Sequence, residues 1–415
     1  MTEHAAPEHH RRLSRGPAVH GHHRVGYIEL FFDLVFVFAI TQLSHALMGH
    51  PTLYGLFGVT VVTMAVWWVW IFFCWSTNWA DPERFPVRIM LMVMMGAGVV
   101  MSASIPHAAE DKAMPFAIAY VFMHLGRGIF MLPIMREYSE AHYRNFQRVL
   151  CWIATASVFW IAGAWFGGKT VFVFWLIALL IEYSGPAARF YTPGLGQSGT
   201  AEWDIEPGHF AERCALFIIL SLGESILVTG ATFEKLPWTF PISTAFAASL
   251  AGTAAMWAIY FSIGQERGVN AMRGSADPGR IARAYTYLHL PIVMGIIVTA
   301  VGDEFVLAHA TGHADAKTLA ASVGGPLLYV LGCGLFKRAT AGWFPLSHMV
   351  GIAALVLMWA FGGALEPWLI SIITSLILIV MVIWERISLG TDATTKIGHP
   401  RERARKAAES QQNQP

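Results

Sequence analysis

Glu29-Leu30-Phe31-Phe32-Asp33-Leu34-Val35-Phe36-Val37-Phe38-Ala39-Ile40-Thr41-Gln42-Leu43-Ser44-His45 decides the fold. The run is largely apolar, yet it opens on two carboxylates four residues apart. At that spacing Glu29 and Asp33 share one face of a helix, and Ser44 falls on nearly the same line. Gln42 lies about half a turn away, so the spacing predicts protein on two sides of this helix. Crossing a bilayer takes roughly 20 mostly apolar residues. A charge at such depth costs about 2.5–3.5 kcal/mol, so Glu29 and Asp33 each need a partner or a task.

The rest of the chain repeats this pattern. Of 415 residues, 55% are hydrophobic and 13% charged, against about a quarter charged in a soluble domain. That composition excludes a disordered chain, a coiled coil and a collagen-like chain, and argues against an ordinary water-soluble enzyme. The 28 Lys and Arg nearly cancel the 27 Asp and Glu, so no bulk charge points to nucleic acid. Hydropathy predicts twelve spans: 28–48, 54–76, 87–106, 114–134, 149–167, 169–185, 209–230, 240–263, 284–303, 318–336, 344–363 and 368–384. With the N-terminus placed in the cytoplasm, the inner segments hold 22 Lys and Arg and the outer loops four, Lys112, Lys169, Lys235 and Lys317. This is the positive-inside bias, and it predicts both termini in the cytoplasm.

Two halves read alike. Leu125-Gly126-Arg127-Gly128-Ile129-Phe130 matches Leu331-Gly332-Cys333-Gly334-Leu335-Phe336, and Val93-Met94-Met95-Gly96 matches Ile292-Val293-Met294-Gly295. Ile181-Glu182-Tyr183 and Ile383-Trp384-Glu385 end the sixth and twelfth spans, while Glu29 and Glu212 begin the first and seventh. The sequence therefore predicts an all-α integral membrane protein of twelve transmembrane helices in a tandem six-plus-six parallel repeat. A parallel repeat places a transporter's site near the midplane between the halves. The expected divisions are a disordered N-tail over 1–27, a first repeat over 28–185 and a cytoplasmic linker over 186–208. A second repeat covers 209–385, and a disordered basic C-tail 386–415. The N-tail histidines, His4, His9, His10, His20, His22 and His23, read as solvated.

Charges and polar groups elsewhere in the spans complete the candidate site. Arg127, flanked by Gly126 and Gly128, lies at a depth comparable to Asp33, and an Arg127–Asp33 or Arg127–Glu29 pair would neutralise both. The two glycines would let another backbone approach. In the seventh span His209, Arg213 and Glu224 form one stripe, while Glu212 points about 100° away. Glu224 has no partner on its own helix and reads as a ligand for a proton or cation. His124 and His289 read as hydrogen-bonded packing groups, and Trp67, Trp68, Trp70, Trp75 and Trp79 as anchors and packing groups. Asp303 and Glu304 read as solvated at a span end. Cys74, Cys151, Cys214 and Cys333 lie in apolar stretches without C-x-x-C spacing and read as small buried hydrophobes.

The stretch from Glu29 to Val37, continuing to Gln42-Leu43-Ser44-His45, resembles the signature of the bacterial low temperature requirement A (LtrA) family. His209-x-x-Glu212-Arg213 followed by Leu222-Gly223-Glu224-Ser225 is similar to that family's second motif. The likeness covers nearly the whole chain apart from the tails. It implies a multi-pass membrane protein whose family name records a need in cold growth. Phe32-Asp33-Leu34-Val35-Phe36-x-x-Ala39-Ile40-Thr41 is also similar to the F-S-D motif on the pore-lining first helix of a potassium channel family built from six-helix repeats. Phe32 stands where those channels have serine, and the second half carries no such motif.

These readings predict a secondary transporter of a small solute coupled to protons or cations. Asp33 and Glu224 would take the proton or cation, and Arg127 would act as countercharge or anion ligand. Glu29, Gln42, His45, His209, Glu212 and Arg213 complete the expected binding or coupling set. A cation channel lined by the first and seventh spans is the alternative. Another is a membrane-embedded enzyme or sensor acting on lipid, with His209, Glu212 and Glu224 as acid–base groups. The chain has no Walker A, G-x-S-x-G or H-E-x-x-H motif, so no enzymatic activity, cofactor or metal is expected. The expected partners are a small solute or ion and membrane lipid, with no nucleic acid and with homo-oligomerisation left open.

Overall fold

The computed structural model describes residues 13–15, 24–200, 203, 205–261 and 264–388. The six tail histidines and the chain beyond residue 388 lie outside the described residues. The helices are α1 (Tyr27–Gly49), α2 (Leu53–Trp79), α3 (Phe85–Ser104), α4 (Ala113–Tyr138), α5 (Glu140–Phe166) and α6 (Val171–Ser184). They continue with α7 (Pro207–Glu234), α8 (Phe240–Phe261), α9 (Gly264–Arg273), α10 (Pro278–Ala308), α11 (Ala316–Ala341), α12 (Leu346–Phe361) and α13 (Pro367–Ser388). The described residues include no strand. Below, the end of the bundle where α1 begins is the near end.

Eleven of the described helices are long and apolar enough to cross a membrane, and the chain is a multi-pass helical membrane protein. The sixth expected span, 169–185, is cut short. Gly167 and Gly168 take φ of 67° and 59°, a left-handed conformation that glycine adopts at no steric cost and that ends α5. A single 3-10 turn follows, leaving α6 only 14 residues, about 21 Å at 1.5 Å per residue. At the near end several helices outrun their apolar stretches. α5 starts at Glu140 rather than 149 because the Ser139 side chain accepts from the His142 backbone N–H and caps it. The polar helix α9, which hydropathy does not reveal, occupies the connection from α8 to α10.

Burial sorts the helices into a centre and a rim. The apolar window of α2 is 78% buried and that of α10 72%, against 33% for α5 and α12. On α1 the inward side presents Phe32, Val35, Phe36, Ile40 and Leu43, while Phe31, Leu34 and Phe38 are exposed. Exposed large apolar side chains on such a helix mark a face for lipid. Trp67, Trp68 and Trp70 are fully buried on α2, so packing, not interfacial anchoring, explains them. Cys74, Cys214 and Cys333 are buried as expected, but Cys151 is exposed, since it falls on the outer side of the peripheral α5.

The closest helix pair is α10–α11. A Cβ added at Gly302 would lie 2.6 Å from the Ser322 backbone N, and one at Gly325 2.4 Å from the Thr299 backbone N. Small residues let two backbones approach this way inside a membrane. The sequence placed that approach at Gly126 and Gly128. There the nearest atoms are the side-chain ends of Met94 and Leu150, so α4 packs through side chains.

Helices expected to be equivalent in the two halves differ in burial: α2 is central while α8 is 44% buried, and α10 is central while α3 is 44% buried. Glu182 on α6 accepts from Tyr120 and Trp160, whereas Glu385 on α13 binds Lys337 at 2.9 Å. The sequence likeness between the halves is thus not mirrored in these environments.

Candidate functional site

α1 and α7 both start at the near end and run side by side, their contacts keeping an almost constant offset in sequence. The Nη2 of Arg213 donates to Oδ1 of Asp33 at 2.6 Å, and its Nη1 donates to Oε1 of Glu29 at 2.8 Å. About three turns further along, the Thr41 hydroxyl of α1 donates to Oε1 of Glu224 on α7. Glu29 and Asp33 do share a face, and that face is turned to α7.

Three more groups close around Glu29. Arg15 donates to Glu29 Oε2 at 3.2 Å, and the Gly26 backbone N–H donates to the same oxygen at 2.9 Å. The His209 ring nitrogen Nε2 lies 3.0 Å from Oε1. Asn78, at the end of α2, holds the His209 ring from its other side. Its Oδ1 accepts from the Glu206 backbone N–H, so its amide nitrogen faces the His209 Nδ1, 3.4 Å away. Arg15 Nη2 also lies 2.9 Å from the His209 Nε2, so this ring nitrogen sits between the Arg15 guanidinium and the Glu29 carboxylate. Trp70 of α2 donates to Asp33 Oδ1 at 2.8 Å, and Thr77 accepts from Arg213 at 3.2 Å.

The result is a sealed charge cluster. Glu29, Asp33, His209 and Arg213 are fully buried, and the Arg15 side chain is nearly so. Two carboxylates face two guanidiniums, so with His209 neutral the cluster carries no net charge. Burial holds the Arg15 guanidinium below its ordinary pKa, with the Glu29 carboxylate offsetting only part of that, and a guanidinium stays charged even so. Vacancies remain: Asp33 Oδ2 and Arg213 Nε have no hydrogen-bond partner among the described residues.

The structure corrects several expected roles. Arg127 pairs with neither Asp33 nor Glu29. α4 packs on α2, and Arg127 Nη1 donates to Ser76 Oγ at 2.7 Å with its guanidinium 5.0 Å from the Phe72 ring. Its direction around the helix did not follow from its position along it. Arg15, expected in a loose tail, is seated because Leu13–Arg15 run beside the end of α2, with Arg15 N–H donating to the Trp79 carbonyl at 2.7 Å. Glu212 is half-buried with Oε2 unpartnered and stays outside the cluster, Gln42 is half-buried, and His45 is exposed. His209 and Glu224 are fifteen residues apart on one helix, about 22 Å, so the trio read as acid–base groups does not converge. His124 sits between Tyr120 and Phe72 with neither ring nitrogen hydrogen-bonded, unlike His289, which contacts the Tyr260 hydroxyl at 2.7 Å. Asp303 is buried and accepts from Ser249 because α10 continues to Ala308 past the expected edge.

Sequence reasoning missed Thr77 and Asn78, and passed over Trp70 and Thr41 as partners. The signal was the polar run Ser76-Thr77-Asn78 ending an otherwise apolar helix. It also missed His107, Glu110 and Asp111 at the opposite end of the bundle, whose ligand atoms lie within 4.8 Å of one another. All three are exposed, where such groups are common without a metal.

Residues 24–383 match the family described as bacterial low temperature requirement A protein. The chain is 37% identical over 373 residues to the uncharacterized protein RA0937 of Rhizobium meliloti (strain 1021), covering 88% of this chain and 90% of that one. No solved structure matches the chain.

Proposed function

The chain belongs to the bacterial low temperature requirement A family, and from that premise we propose that it is a secondary transporter of a small solute coupled to protons or cations. The observation that carries this reading is the polar line along α1 and α7. Ionisable side chains in a membrane interior are costly and mark ion or solute pathways. Here they run from the Glu29–Asp33–Arg213 cluster to Glu224, which is bound to Thr41. In this reading Glu224 takes up and releases the coupling proton or cation. The neutral cluster acts as the latch, because one proton added at Asp33 unbalances it and loosens its hold on Arg213.

The α1 residues Phe32, Phe36, Ile40 and Leu43 are buried against their neighbours. That packing supports a carrier that rearranges over a pore lined by α1. The reading assigns the chain no enzymatic chemistry. It places the chain in the bacterial inner membrane with both termini in the cytoplasm, supported by the Lys and Arg bias of the loops. The two six-helix halves belong to the same proposal.

Proteoliposomes carrying the purified chain and an internal pH-reporting dye test it, using a panel of amino acids, organic acids, amines and sugars, with and without a sodium gradient. Proton or sodium movement that depends on one solute class supports a carrier. Ion currents that flow without any solute point to the channel, and no movement of either ion with any solute removes the coupled-transport reading.

A further inference from the structure

A cavity of about 60 Å³ lies away from the α1–α7 line, at the near end of α2, α4, α5 and α10 under the connection from α6 to α7. Its walls are aromatic: Trp68, Phe72, Trp75, Phe146, Phe190 and Trp203. Phe190 and Arg189 before it are held at φ of 49° and 53°, a left-handed conformation uncommon outside glycine, and the turn they make buries the Phe190 ring.

The polar groups on this wall are short of partners. Arg127 is buried, and no carboxylate lies within 4.0 Å of its guanidinium among the described residues. Its Nη1 has Ser76, but its Nε has no hydrogen-bond partner. Trp68 Nε1, a second buried donor on the wall, is also unpartnered, as is Asn145 Oδ1, whose amide can turn to present its NH2 instead. Arg283, half-buried on α10, adds a second guanidinium to the lining. Buried polar groups are rarely left unpaired, and a buried cation without a counterion is the costliest case. Four groups that favour an anion, set among aromatic rings, describe a site that is completed by its ligand.

We infer that this cavity binds a small carboxylate anion with a short apolar body, its carboxylate on Arg127 and its carbon chain against the aromatic walls. The volume sets the size. About 10–15 Å³ of such space holds one water, so the cavity takes about four to six heavy atoms, a carboxylate group with one to three further carbons. Anionic lipid headgroups share this chemistry but carry a glycerol backbone and two chains that exceed the space. The site stands whether or not the chain transports a solute.

Isothermal calorimetry and thermal melting of the full chain in nanodiscs of uncharged lipid test it, with propionate as the probe and propionamide as its uncharged counterpart. Saturable binding and a raised melting temperature are expected with propionate and not with propionamide. Hydrogen bonds to charged groups contribute about 1.5–3 kcal/mol, so Arg127→Gln weakens propionate by at least about tenfold, while Arg127→Lys retains part of the affinity. The propionate–propionamide contrast is read on the unmutated chain and decides the question even if Arg127→Gln fails to fold. Equal response to the two probes, or no response to propionate, overturns the proposal. So does a response that appears only when phosphatidylglycerol is built into the nanodisc.

Discussion

Arg213 on α7 holds Asp33 on α1 at 2.6 Å, 180 residues away in sequence, with both side chains fully buried. The same guanidinium reaches Glu29 at 2.8 Å, so one cation answers two carboxylates on one helix face. This fastening joins the first helix to the seventh and leaves Asp33 Oδ2 open.

Removing one partner of a buried ion pair leaves an uncompensated charge and costs about 3–5 kcal/mol. Arg213→Gln therefore destabilises the chain by that order. Arg15→Gln costs less, because Glu29 keeps Arg213, His209 and the Gly26 N–H. Thermal melting in detergent checks the ranking. A larger loss from Arg15→Gln would contradict the assigned roles.

The α10–α11 contact predicts a sharp contrast among glycines. Gly302→Leu and Gly325→Val drive side chains into the facing backbone, where overpacking costs about 1–3 kcal/mol or more. Gly223, on α7, has nothing within 4 Å of an added Cβ, so Gly223→Ala is neutral or stabilises by up to about 1 kcal/mol through helix propensity. Melting temperatures of the three variants, with the yield of folded protein, test this.

The length of α6 decides the topology. Fourteen residues, about 21 Å, fall short of a 30 Å hydrocarbon core. The loop charges predict that α6 nonetheless crosses, with local thinning of the bilayer. Green fluorescent protein fused after residue 388 is expected to fluoresce in the cytoplasm, as is a fusion in the α6–α7 connection. A dark C-terminal fusion whose alkaline phosphatase counterpart is active would show that α6 does not cross.

Much of this fold was legible because hydropathy reports depth. The apolar run from Phe31 to Leu43 gave α1, and the four-residue spacing of Glu29 and Asp33 gave their common face. Depth alone does not say which neighbour a helix faces. The sequence puts Arg127 and Asp33 at comparable depth, but α4 turns to α2, and the cation that reaches Asp33 is Arg213. The stripe of His209 and Arg213 was visible, and its target was not, because lateral neighbours are set by packing between helices far apart in sequence. Polar ends were misread for a related reason. Arg15 and Asp303 lie beyond or at the edges of apolar runs, where solvation is the ordinary expectation, yet each meets a specific partner. The α10–α11 seam had a readable sign in Gly295 and Gly302 facing Gly325 and Gly332, each pair seven apart.

Glu224 bears the central claim. Glutamine in its place still accepts a hydrogen bond from Thr41 but carries no exchangeable acid proton, so the fold stays while coupling goes. The decisive measurement compares solute-dependent proton or sodium movement into proteoliposomes of the unmutated chain and of Glu224→Gln, each first shown to be folded by its melting temperature. The account predicts coupled movement in the former and only liposome background in the latter. Equal rates in the two would contradict it.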